Sequence, residues 1–369
     1  MNAQSVAFKD PNTLTTVVAG SGKLVVGQGP VRTGVTAILP RGKTSGDPVF
    51  AGWFTLNGNG EMTGTTWVEE SGLLGGPVMI TNTHSVGVVR DAVIEWLVQS
   101  GREFDWSLPI VAETWDGSLN DINGFHVKRQ HVFAALDSAR GGPVAEGNVG
   151  GGTGMICSGF KGGIGTASRK LPPEGGGYSV GVLVQCNYGR RPQLRIAGVP
   201  VGREIRDLLP CFDTSGPPPR PRPAHCADRA PSGAAPPPPP EQGSIIIVVA
   251  TDAPLLPHQL KRVAKRAALG IGRMGGIGGN SSGDIFIAFS TANPGAAGAD
   301  RPVTLTMLPN ERCDGVYEAT IQATEEAIVN ALVAAETMTG ANDLRVTALP
   351  HDRLRQVLAK YNRLSGGAR

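Results

Sequence analysis

The chemistry legible in this chain turns on one junction. In the stretch EQGSIIIVVATDAPLLPHQ, residues 241–259, Ser244 follows Gly243 and opens the apolar run Ile245–Ala250. A serine hydroxyl attacking the carbonyl of a preceding glycine meets no side chain. The attack would exchange the Gly243–Ser244 amide for an ester, and water would then release an N-terminal serine. Such a residue carries its own base, because an α-amine has a reference pKa of about 7.7–8.0 and can take the hydroxyl proton directly or through water. The plainer alternative is a turn residue at the start of a strand.

Other patterns that would signal catalysis or cofactor binding fail. AILPRGKT ends like a phosphate-binding loop but carries Ala37 where the first glycine belongs. Gly270, Gly272 and Gly275 spell GxGxxG after a helical period instead of a strand, so the dinucleotide geometry is missing. The six histidines, His84, His126, His131, His225, His258 and His351, form no HExxH, and neither His126 nor His131 has an adjacent carboxylate. No GxSxG elbow occurs. No metal and no cofactor are expected. The five cysteines, Cys157, Cys186, Cys211, Cys226 and Cys313, are odd in number and lack a CxxC pair, which predicts no disulfide framework and a reducing compartment.

The elements able to position the junction surround it. With 369 residues, 40% hydrophobic and 18% charged, the chain has apolar content for one large layered domain or two. A net charge of +3 with only short basic clusters leaves no footprint for nucleic acid. In the first two hundred residues KLVVGQG, VRTGVTAIL, PVFAGWFTLNG, TGTTWVEE and PVMITNTHSVGVV predict strands between glycine turns. Val89, Val93, Ile94 and Leu97 share a helical face ending before Gly101, and KRQHVFAALDSA has a similar period. YSVGVLVQCNYG predicts a buried strand ending at Asn187. Past the junction come a strand over 244–251, an amphipathic helix PHQLKRVAKRAALGIGR, the strand DIFIAFSTA, and two helices, GVYEATIQATEEAIVNALVAAETM and PHDRLRQVLAKYNRL. This order predicts a layered α+β fold with helices outside the sheets.

Just before the junction the composition inverts: eleven of the 29 prolines fall within residues 217–240. Proline removes amide donors, so residues 212–243 are expected to form an extended, polyproline-like linker. The N-terminal stretch shows no basic segment followed by an apolar core, and no apolar run approaches the roughly 20 residues of a bilayer span. A soluble, cytoplasmic protein without membrane or nucleic-acid partners is expected.

GSIIIVVATDAPLLPHQLKR, together with MTGTTWVEESG, ITNTHSVGVVRDAV, ETWDGSLNDING, EGNVGGGTGMIC and GGIGGNSSGDIFIAFSTAN, resembles the DmpA-type L-aminopeptidase/D-esterase family, which includes the β-peptidyl aminopeptidases. The matching blocks run from about Val31 to the C-terminal helix. The resemblance implies a four-layer αββα sandwich of the DmpA/ornithine acetyltransferase type. It also implies self-cleavage into an α chain, 1–243, and a β chain, 244–369, folded together as one domain, with several such pairs forming a homo-oligomer, a tetramer or larger.

Site residues follow from the same resemblance. Ser244 matches the nucleophile, which also attacks the Gly243–Ser244 bond. Ser282 and Asp284 match the serine and the acidic residue set beside it; in an extended segment, i and i+2 face one side and together would orient the Ser244 hydroxyl or its amine. Asn187 matches the amide that stabilises the oxyanion. Glu113 matches the carboxylate that receives the substrate ammonium, and Trp115 is a candidate wall of the side-chain pocket. The implied substrates are short peptides, amides or esters with a free amino end, of L-α-, D- or β-amino acids. Two alternatives remain: an acyltransferase like the ornithine acetyltransferases, which use threonine after the cut, and an unprocessed, non-catalytic oligomeric binding homologue.

Overall fold

Alternation along one strand sets the architecture of the computed structural model, which describes residues 11–101, 106–214, 223–228, 242–297 and 301–364. In β12 (Gln242–Thr251), Ile246, Val248 and Ala250 face one side and Ile245, Ile247 and Val249 the other, all fully buried. A strand that is apolar on both faces must be covered on both, and each buried Ile or Val side chain contributes about 1.5–3 kcal/mol to keeping it so. β12 therefore lies inside a six-stranded sheet, ordered β4 (Leu73–Leu74), β3 (Val49–Thr55), β13 (Ser281–Ser290), β12, β10 (Ser179–Asn187), β9 (Gly163–Lys170). β13 runs parallel to β12 and β10 antiparallel to it.

A second sheet, β1 (Pro11–Ala19), β2 (Val31–Ile38), β5 (Val78–Asn82) and β6 (Ile110–Thr114), stacks on the first. Ile80 and Ile110 meet Ile246, Ile287 and Phe289 in the core between the sheets. Helices α5 (Pro257–Arg273) and α6 (Asp314–Val333) cover the outer face of the larger sheet through Val263, Ala267, Ala327 and Ile328. Helices α2 (Val86–Gln99) and α3 (Arg129–Asp137) cover the smaller one through Val89, Val93, Val132 and Leu136. The result is the expected α+β sandwich in four layers, αββα. The short helix α4 (Val201–Glu204) packs near α7 (His351–Lys360), whose Leu354 and Val357 extend the larger core. β7 (Ile156–Cys157) and β8 (Phe160–Lys161) form a small hairpin, while β11 (Cys211–Phe212), β15 (Leu344–Val346) and β14 (Met338–Thr339) make a three-stranded ribbon.

Four expectations are corrected. TGTTWVEE is not a strand: its core is the helix α1 (Thr65–Ser71), bounded by Gly64 and Gly72 in left-handed backbone, with the Gly72 N–H closing on the Val68 carbonyl. KLVVGQG is a turn closed by Val25 and Gly29, because the chain doubles back within five residues. Four cysteines pair, Cys157 with Cys186 and Cys211 with Cys226, leaving Cys313 free. Disulfides persist in oxidising surroundings, so the reducing compartment loses the ground it was inferred from. The linker, finally, is shorter than 212–243. Phe212 belongs to β11, the Cys226 N–H donates to the Phe212 carbonyl, and β12 already begins at Gln242. Residues 215–222 and 229–241 of that linker lie outside the described residues.

Candidate active site

The junction is held in the strand ladder from both sides. Ser244 is the antiparallel partner of Asn187 on β10, while on β13 Gly243 is level with Ser282 and Ser244 with Gly283. Gly243 is a glycine of necessity. Its φ is 150°, and a Cβ there would stand 1.9 Å from the Asn187 carbonyl oxygen. The Ser244 side chain follows the alternation of Ile246 and Val248 into the space between the sheets, where its Oγ accepts a hydrogen bond from the Gly283 N–H at 3.2 Å.

Ser282 and Asp284 lie two apart on extended β13, as expected, and both are fully buried. The Ser282 hydroxyl donates to Asp284 Oδ1 at 2.6 Å. Burial pushes the Asp284 carboxyl up from its ordinary pKa, while the bonds from Ser282 and Asn57 hold it back. The pair shares the alternation of Phe286 and Ala288, which face the helices. It therefore flanks the Gly243–Ser244 peptide from the face opposite the Ser244 hydroxyl.

Asn187 is fixed at both ends of its amide. Oδ1 accepts from the Ile156 N–H at 2.8 Å, and Nδ2 donates to the Trp115 carbonyl at 2.9 Å, leaving one Nδ2 proton uncommitted among the described residues. Trp115 thus meets the site through its backbone. Its side chain is 41% exposed, and the ring lies against Gly117.

Glu113, at the end of β6 in the other sheet, is buried. Oε1 accepts from the Glu61 N–H at 3.0 Å, and Oε2 accepts from the Thr83 hydroxyl. Desolvation pushes its carboxyl above the usual pKa and Glu61 adds to the rise, whereas the Thr83 and Glu61 bonds and His84 oppose it. Between Glu113 and Ser244 the backbones of Gly60 and Gly283 pack directly against each other. A Cβ on Gly60 would come within 3.1 Å of the Gly283 Cα and 3.2 Å of Glu113 Oε1. The structure thus brings Ser244, Asn187, Ser282, Asp284 and Glu113 to one end of the sandwich.

Sequence reasoning missed the residues that hold these groups. Asn57 Nδ2 donates to Asp284 Oδ2 at 3.3 Å, and Asn57 Oδ1 accepts from the Asp284 N–H at 2.7 Å. The only signal was the LNGNG run, which reads as a turn. Thr83 and Ile156 carry no pattern at all. His126, which has no carboxylate beside it in the sequence, is 2.8 Å from Asp121 Oδ2.

Comparison with known proteins shows the family. The sequence profile of peptidase family S58 matches residues 14–346. The β-peptidyl aminopeptidase BapA of Sphingosinicella microcystinivorans is 56% identical over 350 residues, covering 95% of this chain and 85% of the relative. The L-aminopeptidase D-Ala-esterase/amidase of Ochrobactrum anthropi, described as a prototype for the serine aminopeptidases and a new variant of the Ntn hydrolase fold, superposes with a TM-score of 0.83 at 46% identity. That match covers 97% of this chain and 93% of the other. A β-aminopeptidase from Burkholderia sp. superposes with a TM-score of 0.78 at 43% identity, covering 97% of each chain. On the profile match and these relatives, the chain belongs to peptidase family S58 and is a serine aminopeptidase.

Proposed function

We propose that the chain cuts itself between Gly243 and Ser244, and that the freed Ser244 then removes N-terminal residues, β-amino acids foremost, from short peptides, amides and esters. One observation carries this reading: the register sets Ser244 level with Asn187 on one strand and its preceding peptide beside Ser282 on the other. In the uncut chain the Ser244 nitrogen is an amide and cannot accept a proton; cleavage turns it into an amine. The hydroxyl then attacks the substrate carbonyl while the amine takes its proton, and the Asn187 amide donates to the oxyanion. The departing amine regains the proton, and water releases the amino acid from the ester. Lying on the opposite face from the hydroxyl, Ser282 and Asp284 suit the amine better than the Oγ. The preference for β-amino acids rests on the similarity to β-peptidyl aminopeptidases. Exposed Trp67, Trp106, Leu305 and Met307 give an oligomer of cleaved pairs apolar surface to bury.

Hydrolysis of p-nitroanilides of β-homo-amino acids, L-Ala and D-Ala, each with a free and an acetylated amine, tests the assignment of Glu113. Free amines are expected to be cleaved and acetylated ones spared. Glu113→Gln should raise KM about 10- to 100-fold, the worth of a charge-assisted bond. The sign with pH follows from the raised pKa of Glu113. Ammonium binding is present above that pKa and lost as pH falls through it, so KM should climb on the acid side earlier than an ordinary carboxylate would dictate. Glu113→Gln should lack that limb. Equal cleavage of acetylated substrates would remove Glu113 from this role.

A further inference from the structure

Lys161 is fully buried, and desolvation pulls its ammonium down to about 7. Among the described residues no carboxylate pairs with it. Its Nζ donates to backbone oxygens alone: Gly162 at 2.7 Å, Met155 at 2.8 Å and Gly152 at 3.4 Å. Burying a lone ammonium is unfavourable, and an apolar side chain of similar volume would pack without that penalty. What this charge does must pass through those carbonyls.

The Met155 carbonyl belongs to the same peptide group as the Ile156 N–H, and that N–H donates to Asn187 Oδ1 at 2.8 Å. Lys161 and Ile156 are also cross-strand partners in the β7–β8 hairpin, which fixes the reach of the amine. The Cys157–Cys186 disulfide joins the residue after Ile156 to the residue before Asn187, so the last link of the chain of bonds is also tied covalently. We propose that Lys161 is a positioning residue that acts through the Met155–Ile156 peptide to orient and polarise the Asn187 side-chain amide.

Charge on Nζ draws electron density from the Met155 oxygen, which makes the Ile156 N–H a stronger donor to Asn187 Oδ1. That in turn leaves the uncommitted Nδ2 proton more positive, the one that would face a developing oxyanion. Successive hydrogen bonds strengthen one another in this way, by about 10–30% per bond. The proposal rests on the reading of Asn187 as the oxyanion donor. The gain arises only when charge develops, so Lys161 should influence kcat and leave KM alone.

A double-mutant cycle tests it, with kcat and KM measured per mole of processed chain and folding followed by thermal unfolding. Lys161→Met is expected to lower kcat about tenfold with KM within about twofold, and to change kcat less than about twofold when Asn187 is already alanine. Lys161→Gln, which keeps a donor and most of the packing but not the charge, covers the case in which the methionine variant does not fold. It should show the same kcat loss and the same dependence on Asn187. A kcat loss of equal size in both backgrounds would mean that Lys161 acts elsewhere, and the relay would be overturned. Wild-type kcat in Lys161→Gln would overturn it too. If instead Asn187→Ala keeps its full rate, the oxyanion assignment falls first and takes the relay with it, a result distinct from a slow Asn187→Ala beside a fast Lys161 variant.

Discussion

Ser244→Ala is expected to purify as one polypeptide of 38.3 kDa without aminopeptidase activity. In the proposed mechanism, removing the hydroxyl takes away both the group that attacks the Gly243 carbonyl and the group that forms the ester with substrate. The fold should survive. Among the described residues that hydroxyl's one hydrogen bond is the one it accepts from the Gly283 N–H, worth about 1 kcal/mol, and β12 remains buried through Ile245–Ala250. An unchanged far-ultraviolet circular dichroism spectrum beside a single uncut band would separate lost chemistry from lost structure. Cleavage of the alanine variant at the same bond would show that a different group attacks.

The second large effect is expected at Asn187. Loss of one oxyanion donor typically lowers kcat by about 10²- to 10³-fold, and Asn187→Ala should do so with little change in KM. Alanine also leaves the partly buried Ile156 N–H unpaired, which costs about 1 kcal/mol of stability. Asn187→Asp keeps the bond from Ile156 but sets a carboxylate oxygen against the Trp115 carbonyl and a negative charge beside the oxyanion, so its loss of kcat should be at least as large. Both are measured by steady-state kinetics on processed enzyme, with the extent of processing recorded separately. A kcat within a few-fold of wild type in both variants would send the search for the oxyanion site to the backbone amides.

The fold was legible wherever pattern and burial agree. β12, β10 and β13 are long apolar strands buried on both faces, and α5 carries a clear apolar stripe, so local sequence and tertiary environment point the same way. Ser244 stood out because composition changes abruptly at its border. The i, i+2 spacing of Ser282 and Asp284 was enough to place them on one face once the segment was extended. α1 was misread because its threonines, tryptophan and valine favour a strand locally, while the flanking glycines and the burial of Val68 favour one short helix.

What stayed hidden in the site depends on contacts that no local pattern records. Asn57 reaches Asp284 across 227 residues of sequence. The Trp115 contact with Asn187 is made by a carbonyl oxygen, an atom every residue possesses, so no side-chain pattern could announce it. The disulfides were missed because cysteine spacing says little about which strands meet: Cys186 is on β10 and its partner on the separate β7 hairpin.

Intact-mass measurement of the purified wild-type protein, with the N-terminal residue of each species identified, addresses the central claim most directly. The prediction is two unequal fragments, residues 1–243 and residues 244–369, the smaller beginning with Ser244. A single uncut chain that hydrolyses amino-terminal substrates at full rate would contradict it.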